Sequence, residues 1–323
     1  MKRVNIFKYA TSELSQDAFL CWLIENSNPQ YADYVDLHAA ACAFVKLLIN
    51  KGISYDKPIE NIRVRKQMND IDVRFVVNEE IKVIIEDKIM SGEHSGQLER
   101  YKSDELKRLN GKQLVCIYLK TGNESRETLY KIIQKGYSIV NRRDILDLLT
   151  QYHPHNDFYI DYVEYLQSLE DKTNTYMNKP YTEWDYMAWQ GFYMCIEKEL
   201  KMAGWGYVSN PKGGFWGLHW YWTKKSDCEM YLQIENEGKL CIKIKVVEGN
   251  VSAIREKWHK KLMEQVKFLG YKEIQKPQRF GYGKWITIGI IDPKDYMGES
   301  LFNRDKVLKN IRKYEELIDK CVE

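Results

Sequence analysis

Two apolar rhythms alternate along this chain, and each change of rhythm marks an element. After Thr11 and Ser12, either able to cap a helix, "ELSQDAFLCWLIEN" sets Leu14, Ala18, Phe19, Trp22 and Leu23 at helical spacing. A second helix is predicted in "DYVDLHAAACAFVKLLINKG", closed by Gly52. The period then shortens: "NIRVRKQ", "DIDVRFVV" and "IKVIIED" read as three strands, the last two joined by Asn78-Glu79-Glu80, short enough for a hairpin. A polar helix in "HSGQLERYKSDELKRLNG", a strand "KQLVCIYLK", a helix "ETLYKIIQKG" and a short strand "YSIV" follow. Two helices, "RRDILDLLTQY" and "DFYIDYVEYLQSLE", complete an order α, α, βββ, α, β, α, β, α.

Past the polar stretch "DKTNTYMNKPYT", a helix in "WDYMAWQGFYMCIEKELKMAG" precedes strands "FWGLHWYWT", "EMYLQIE" and "KLCIKIKVV". A long helix from Val251 to Leu269, a strand "KWITIGII" and a helix from Arg304 to Lys320 close the chain. The second half thus follows the order α, βββ, α, β, α, without a residue-level repeat of the first. A chain of 323 residues, 44% hydrophobic, exceeds what one core usually organises, so two domains are expected, 1–172 and 180–323.

Composition adds an asymmetry. From Thr173 onward there are 25 Lys+Arg against 20 Asp+Glu, a net of +5, leaving 24 against 26, a net of −2, in the first part. Eight of the nine tryptophans, all but Trp22, lie in the basic half. Cations interleaved with aromatics suit phosphates and bases, and an aromatic core under a solvated basic surface accounts for the same counts. Seven scattered cysteines without a CxxC pair read as reduced thiols rather than a disulfide framework or zinc site. "MKRVNIFKYATSELSQ" lacks an apolar segment and no run of about 18 apolar residues follows, so a cytoplasmic protein with no membrane partner is expected.

The run Val83-Ile84-Ile85 ends in Glu86-Asp87-Lys88, three charges on a strand built for burial. An unpaired buried charge costs several kcal/mol, on the order of its lost hydration, so either the strand surfaces or the charges are functional. Glu-x-Lys also occurs at Glu80, Glu105, Glu170, Glu199 and Glu237, but only Glu86 and Lys88 directly follow an apolar strand and lie downstream of a strand bearing Asp72. Period-two alternation puts Glu86 and Lys88 on one face and Asp87 on the other, and a hairpin brings Asp72 alongside. Two carboxylates beside a lysine supply oxygen ligands for a hard divalent cation. The lysine then orients or deprotonates a water, or offsets charge on a phosphorane-like transition state. Asp87 would offer its backbone carbonyl, and Asp70 is a rival to Asp72.

Gln97 and Tyr101 stand one helical turn apart, as do Glu13 and Asp17. The first pair can bond a phosphate oxygen or hold the lysine. A carboxylate from the opening helix can bind a second metal or an outer water. His94, in a loop, reads as solvated; His153 and His155 have no second ligand pair. In the second half Lys239, Lys243 and Lys245 share one parity beside Trp216, Trp220 and Trp222, either a nucleic-acid face or an aromatic inner and basic outer sheet face.

Asp72 in "IDV", "IIEDKI" from Ile84 to Ile89, and "QLERY" from Gln97 to Tyr101 together resemble the PD-(D/E)XK nuclease superfamily, in particular its bacterial branch with a Gln-x-x-x-Tyr helix after the Glu-x-Lys strand. The resemblance covers roughly residues 5 to 150, with Ile71 where the superfamily's name has Pro. It implies an α/β, restriction-endonuclease-like core, a mixed sheet flanked by helices in the order α-βββ-α-β, followed here by a second α+β domain. It also implies Asp72 and Glu86 as ligands of Mg²⁺ or Mn²⁺, Lys88 as catalytic lysine, Gln97 and Tyr101 as auxiliary site residues, and Glu13 as an acidic helper. The expected activity is hydrolysis of DNA phosphodiesters, with RNA not excluded, and the second domain serves substrate grip, partner contact or homodimerisation. Two other readings stay open: a silent nuclease-like binding module, and a nuclease held inactive until a partner acts, as host defence would need.

Overall fold

The computed structural model describes residues 4–68, 70–93, 96–210 and 213–323. The chain divides into two compact units, residues 1–124 with 128–172, and 125–127 with 173–323. Among the described residues no helix is long and apolar enough to cross a membrane, and all seven cysteines are free.

The first unit is a five-stranded sheet between helices. Its elements are α1 (Glu13–Glu25), α2 (Val35–Asn50), β1 (Ile62–Met68), β2 (Ile71–Val77), β3 (Ile81–Lys88), α3 (Gln97–Lys107), β4 (Gln113–Lys120), α4 (Arg126–Gln134), β5 (Ser138–Asn141), α5 (Arg142–Leu149) and α6 (Asp157–Thr173). Strand order is β1-β2-β3-β4-β5. β1, β2 and β3 are antiparallel neighbours, whereas β4 and β5 join in parallel through helical crossovers. The turn between β2 and β3 holds Asn78 and Glu79 at φ of 51° and 56°, and the Asn78 side chain accepts from the amides of Glu60 and Asn61.

Each face of this sheet has its own core. Val73, Phe75, Val83, Ile85, Ile117 and Leu119 pack under α1, α2, α5 and α6, and Ile84, Cys116 and Tyr118 pack under α3 and α4 with Leu98, Tyr101 and Ile132. Covered on both faces, β3 is buried along its whole length, its terminal charges included.

α1 departs from its expected face. Leu14 and Ala18 are exposed, and the buried stripe is Gln16, Asp17, Phe19, Leu20, Leu23 and Ile24. Ser12 caps the helix, its Oγ accepting from Ser15 N. The helix turns a polar pair inward because buried partners await it at the end of β3.

The second unit has α7 (Thr175–Asn178), α8 (Tyr186–Ile196), β6 (Gly204–Asn210), β7 (Gly213–Lys224), β8 (Cys228–Ile234), β9 (Leu240–Val246), α9 (Val251–Leu269), β10 (Trp285–Ile291), α10 (Pro293–Met297) and α11 (Arg304–Val322). Its sheet, ordered β10-β9-β8-β7-β6, is antiparallel throughout. β6, "GWGYVSN", has no apolar run, so its sequence carries no strand signal. Trp220 is fully buried in the core and Trp216 packs against it. The expected row of three tryptophans does not form: Tyr221, at φ 58°, is the extra residue of a β-bulge that shifts the β7–β8 register between Trp220 and Thr223. Trp222 is thereby turned onto Tyr231, stacked at 4.0 Å and 7°, with Trp285 perpendicular to both. Lys245 lies over the Trp285 ring at 5.1 Å and pairs with Glu229, while Lys243 pairs with Glu235. Lys239 is exposed, one residue before β9.

Candidate active site

The site is built at the C-terminal end of β3. Continuing the antiparallel register that sets Val73 against Ile85, Asp72 falls opposite Glu86. Lys88 Nζ lies 2.5 Å from Glu86 Oε1 and 3.9 Å from Asp72 Oδ2. Asp72 Oδ2 also accepts from Asp87 N at 2.8 Å, so β2 and the end of β3 are joined through this carboxylate. Apart from the Lys88 ion pair, no hydrogen-bond donor among the described residues reaches either buried oxygen of Glu86.

Electrostatics follow from that geometry. Burial, then repulsion from Asp72, pushes the Glu86 carboxyl up to about 7 despite Lys88 beside it. Burial likewise raises Asp72. For Lys88 burial works downward, but the hydrogen bond and charge of Glu86 and the charge of Asp72 win, holding the ammonium above its usual value. One lysine therefore under-compensates two carboxylates, and the cluster has room for more positive charge.

The donor set fits a hard divalent cation on this ground, because Asp72 and Glu86 offer carboxylate oxygens that a single lysine leaves under-compensated. Among the described residues no three His, Cys, Asp or Glu side chains gather at ion-binding distances, which leaves main chain and water for the rest of the shell. Glu13 Oε1 accepts from Ile89 N at 3.0 Å and from Ser91 Oγ at 2.5 Å, tying α1 to the end of β3.

Asp87 points to the opposite face, as period two requires, and is fully buried there. Gln16 Nε2 donates to its Oδ1 at 2.6 Å, and Gln16 Oε1 accepts from Thr121 and Tyr162. Burial and the neighbouring Asp17 hold Asp87 well above the carboxylate range, while burial and Asp72 push Asp17 up to about 6. Gln16 and Asp17 thus form the buried backing of the site; Asp17 had been legible only as a helical neighbour of Glu13.

Gln97 Nε2 donates to Tyr101 Oη at 2.8 Å, so the two bond to each other on α3, with Tyr101 in the core over Ile84. No hydrogen bond among the described residues joins either to Asp72, Glu86 or Lys88. Asp70 sits in the turn before β2, exposed and 3.6 Å from Arg100, and is not part of the cluster. His94 lies outside the described residues. His153 and His155 line an apolar surface cavity with no acid or cysteine ligand among its lining besides Glu164.

Two residues of β4 complete the surroundings. The parallel register sets Tyr118 beside Glu86 and Lys120 beside Lys88. The Tyr118 hydroxyl is buried with no hydrogen-bond partner among the described residues. Lys120 Nζ donates to Ser91 O at 2.6 Å and lies 3.5 Å from Glu124; burial keeps it below the usual lysine value. The signal was present in the sequence as a second apolar strand ending in lysine, but the register that makes it matter is nonlocal.

A family model described as the PD-(D/E)XK nuclease superfamily matches residues 4–188, more than half of the chain. No curated protein and no solved structure matches.

Proposed function

Since the chain belongs to the PD-(D/E)XK nuclease superfamily, we propose that its first unit is a metal-dependent deoxyribonuclease with its active centre at Asp72, Glu86 and Lys88. The observation that carries this is the convergence of Asp72 Oδ2 and Glu86 Oε1 on one buried ammonium at the end of β3. Asp72, Glu86 and the Asp87 carbonyl would hold Mg²⁺ or Mn²⁺, and Glu13 adds acidic character at the rim. When bound, the cation supplies Lewis acidity toward a phosphate oxygen and lowers the cost of forming hydroxide.

The protein's own residues do the rest. Lys88, held protonated by its two carboxylates, orients the attacking water and offsets charge that grows on the phosphate oxygens. Glu86, pushed up to about 7, changes protonation near neutrality and can trade Lys88 for a stronger cation. Gln97 and Tyr101 offer an amide and a hydroxyl from α3 for a phosphate oxygen. The second unit is an accessory module for substrate grip, partner contact or homodimerisation.

The test is cleavage of supercoiled plasmid, single-stranded DNA and RNA with Mg²⁺, Mn²⁺ or EDTA, comparing wild type with Lys88→Ala and Glu86→Gln. Metal-dependent cutting lost in both variants is expected. Cutting that survives either substitution at the wild-type rate, or persists in EDTA, would sink this assignment.

A further inference from the structure

The face of the first sheet that carries Asp72 and Glu86 continues into a strongly basic pocket. On β2 the same parity gives Asp72, Arg74 and Val76; across from them, Arg65 pairs with Arg74, Arg63 with Val76, and Lys82 with Val76 on the other side. Each two-residue step along a strand is about 7 Å. The backbone positions that carry these cations therefore lie one and two such steps, roughly 7 and 13 Å along the strand, from the carboxylate pair.

These cations do not merely neutralise one another's neighbours. Arg63, Arg65, Arg74, Lys82, Arg108 and Lys112 line a pocket of about 280 Å³ that contains no acidic lining residue. Two carboxylates reach them from outside. Glu105 bonds Arg74 at 3.1 Å and Lys82 at 2.8 Å, and Glu79 bonds Arg63 at 2.6 Å and approaches Lys112 at 3.6 Å. Lys82 also donates to the Arg108 carbonyl at 2.9 Å, which positions the end of α3. The exposed guanidiniums of Arg65 and Arg108 have no carboxylate partner among the described residues. Six cations against two acids leave a surplus that a polyanion would satisfy.

We propose that this pocket is a phosphate subsite that grips the backbone of the strand being cut, one and two phosphates away from the scissile position. The inference rests on the nuclease reading above and adds the direction in which the substrate runs, along β1 and β2 away from Asp72. Arginine forks suit such contacts because they bond phosphate oxygens in pairs, and contacts of this kind position a strand without reading its sequence.

The experiment uses the full chain in EDTA, so that binding is read apart from cleavage. Anisotropy of labelled single-stranded and duplex oligonucleotides is measured from about 50 to 200 mM salt. The double substitution Arg65→Gln with Arg108→Gln removes two unpaired surface charges and is expected to weaken binding about tenfold at low salt. It should also flatten the slope of log affinity against log salt by about 1.8 on duplex or 1.4 on single strands. Arg65→Lys with Arg108→Lys keeps both charges and should restore most of the slope. An unchanged slope and affinity in the Gln variant overturns the subsite, as does wild type that binds no oligonucleotide. So does tripolyphosphate stabilising wild type but not the Gln variant while oligonucleotide affinity stays the same, which would assign the pocket to a small anion. If wild type cuts DNA and the Gln variant binds and cuts equally well, only the subsite falls. If wild type binds through Arg65 and Arg108 but never cuts, the subsite stands and the nuclease reading falls.

Discussion

Glu86→Gln should make the protein more stable and inactive at once. Glu86 is 1% exposed, so solvent does little to screen it. Burial and Asp72 move its carboxyl from an ordinary 4.5 to about 7. At about 1.4 kcal/mol for each factor of ten, ionising Glu86 costs the folded state about 3 kcal/mol more than the unfolded chain. The sign follows: an acid raised on folding stabilises fully below its unfolded value, and that contribution is lost as pH rises through the folded value. Gln resembles the protonated acid in size and carries no charge. In urea or guanidinium titrations with EDTA, Glu86→Gln should exceed wild type by about 3 kcal/mol at pH 8 and by under about 1 kcal/mol at pH 5. Added Mg²⁺ should raise wild type and not the variant, closing the pH 8 gap. Equal stability at pH 8 in EDTA, or a gap that does not shrink at pH 5, would refute the picture of an under-compensated buried carboxylate.

Other outcomes follow from particular contacts. Burial pushes Glu105 up, but the hydrogen bond and charge of Lys82 and the charge of Arg74 outweigh it and hold the carboxyl below its usual range. Its contribution is therefore present above the unfolded value of about 4.3 and is lost as pH falls through the lower folded one. Glu105→Gln should cost about 3 to 5 kcal/mol at pH 7 by denaturant titration, with the difference from wild type narrowing as pH falls below the unfolded value and on through the folded one; a cost that does not narrow over that range would speak for packing instead. A Cβ on Gly122 would stand 1.9 Å from the Ile89 carbonyl oxygen, just beyond Lys88, so Gly122→Ala should lower stability by at least about 2 kcal/mol in thermal melts. Wild-type stability in that variant would show that the Ile89 main chain yields freely. Tyr118→Phe removes a buried hydroxyl that has no partner among the described residues and should leave stability unchanged or raise it by up to about 1 kcal/mol; a loss above about 1 kcal/mol would mean the hydroxyl has a bond partner.

Much of this protein is set by short-range pattern. Period two alone puts Glu86 and Lys88 on one face and Asp87 on the other, and the helix from Val251 to Leu269 runs between the residues its pattern indicates. Ser12 caps α1 because a hydroxyl at that position satisfies a free helix amide, a relation spanning three residues. Motif order likewise carries the superfamily assignment, since residue types and their spacing are sequence properties.

Long-range pairing decides the rest. α1 buries Gln16 and Asp17 in place of Leu14 because their partner, Asp87, is about 70 residues away and its location depends on the packed sheet. Lys120 comes beside Lys88, and Tyr118 beside Glu86, through a parallel register that only a crossover helix establishes. Trp222 leaves the face of Trp220 because one residue, Tyr221, adopts a left-handed conformation, and strand periodicity has no means of anticipating an insertion into its own count. The basic pocket is assembled from β1, β2, β3 and the end of α3, four segments that share no local pattern. Apolar periodicity is a local consequence of which face meets water, whereas register, crossovers and buried charge pairs depend on free energy gained only after distant segments have met.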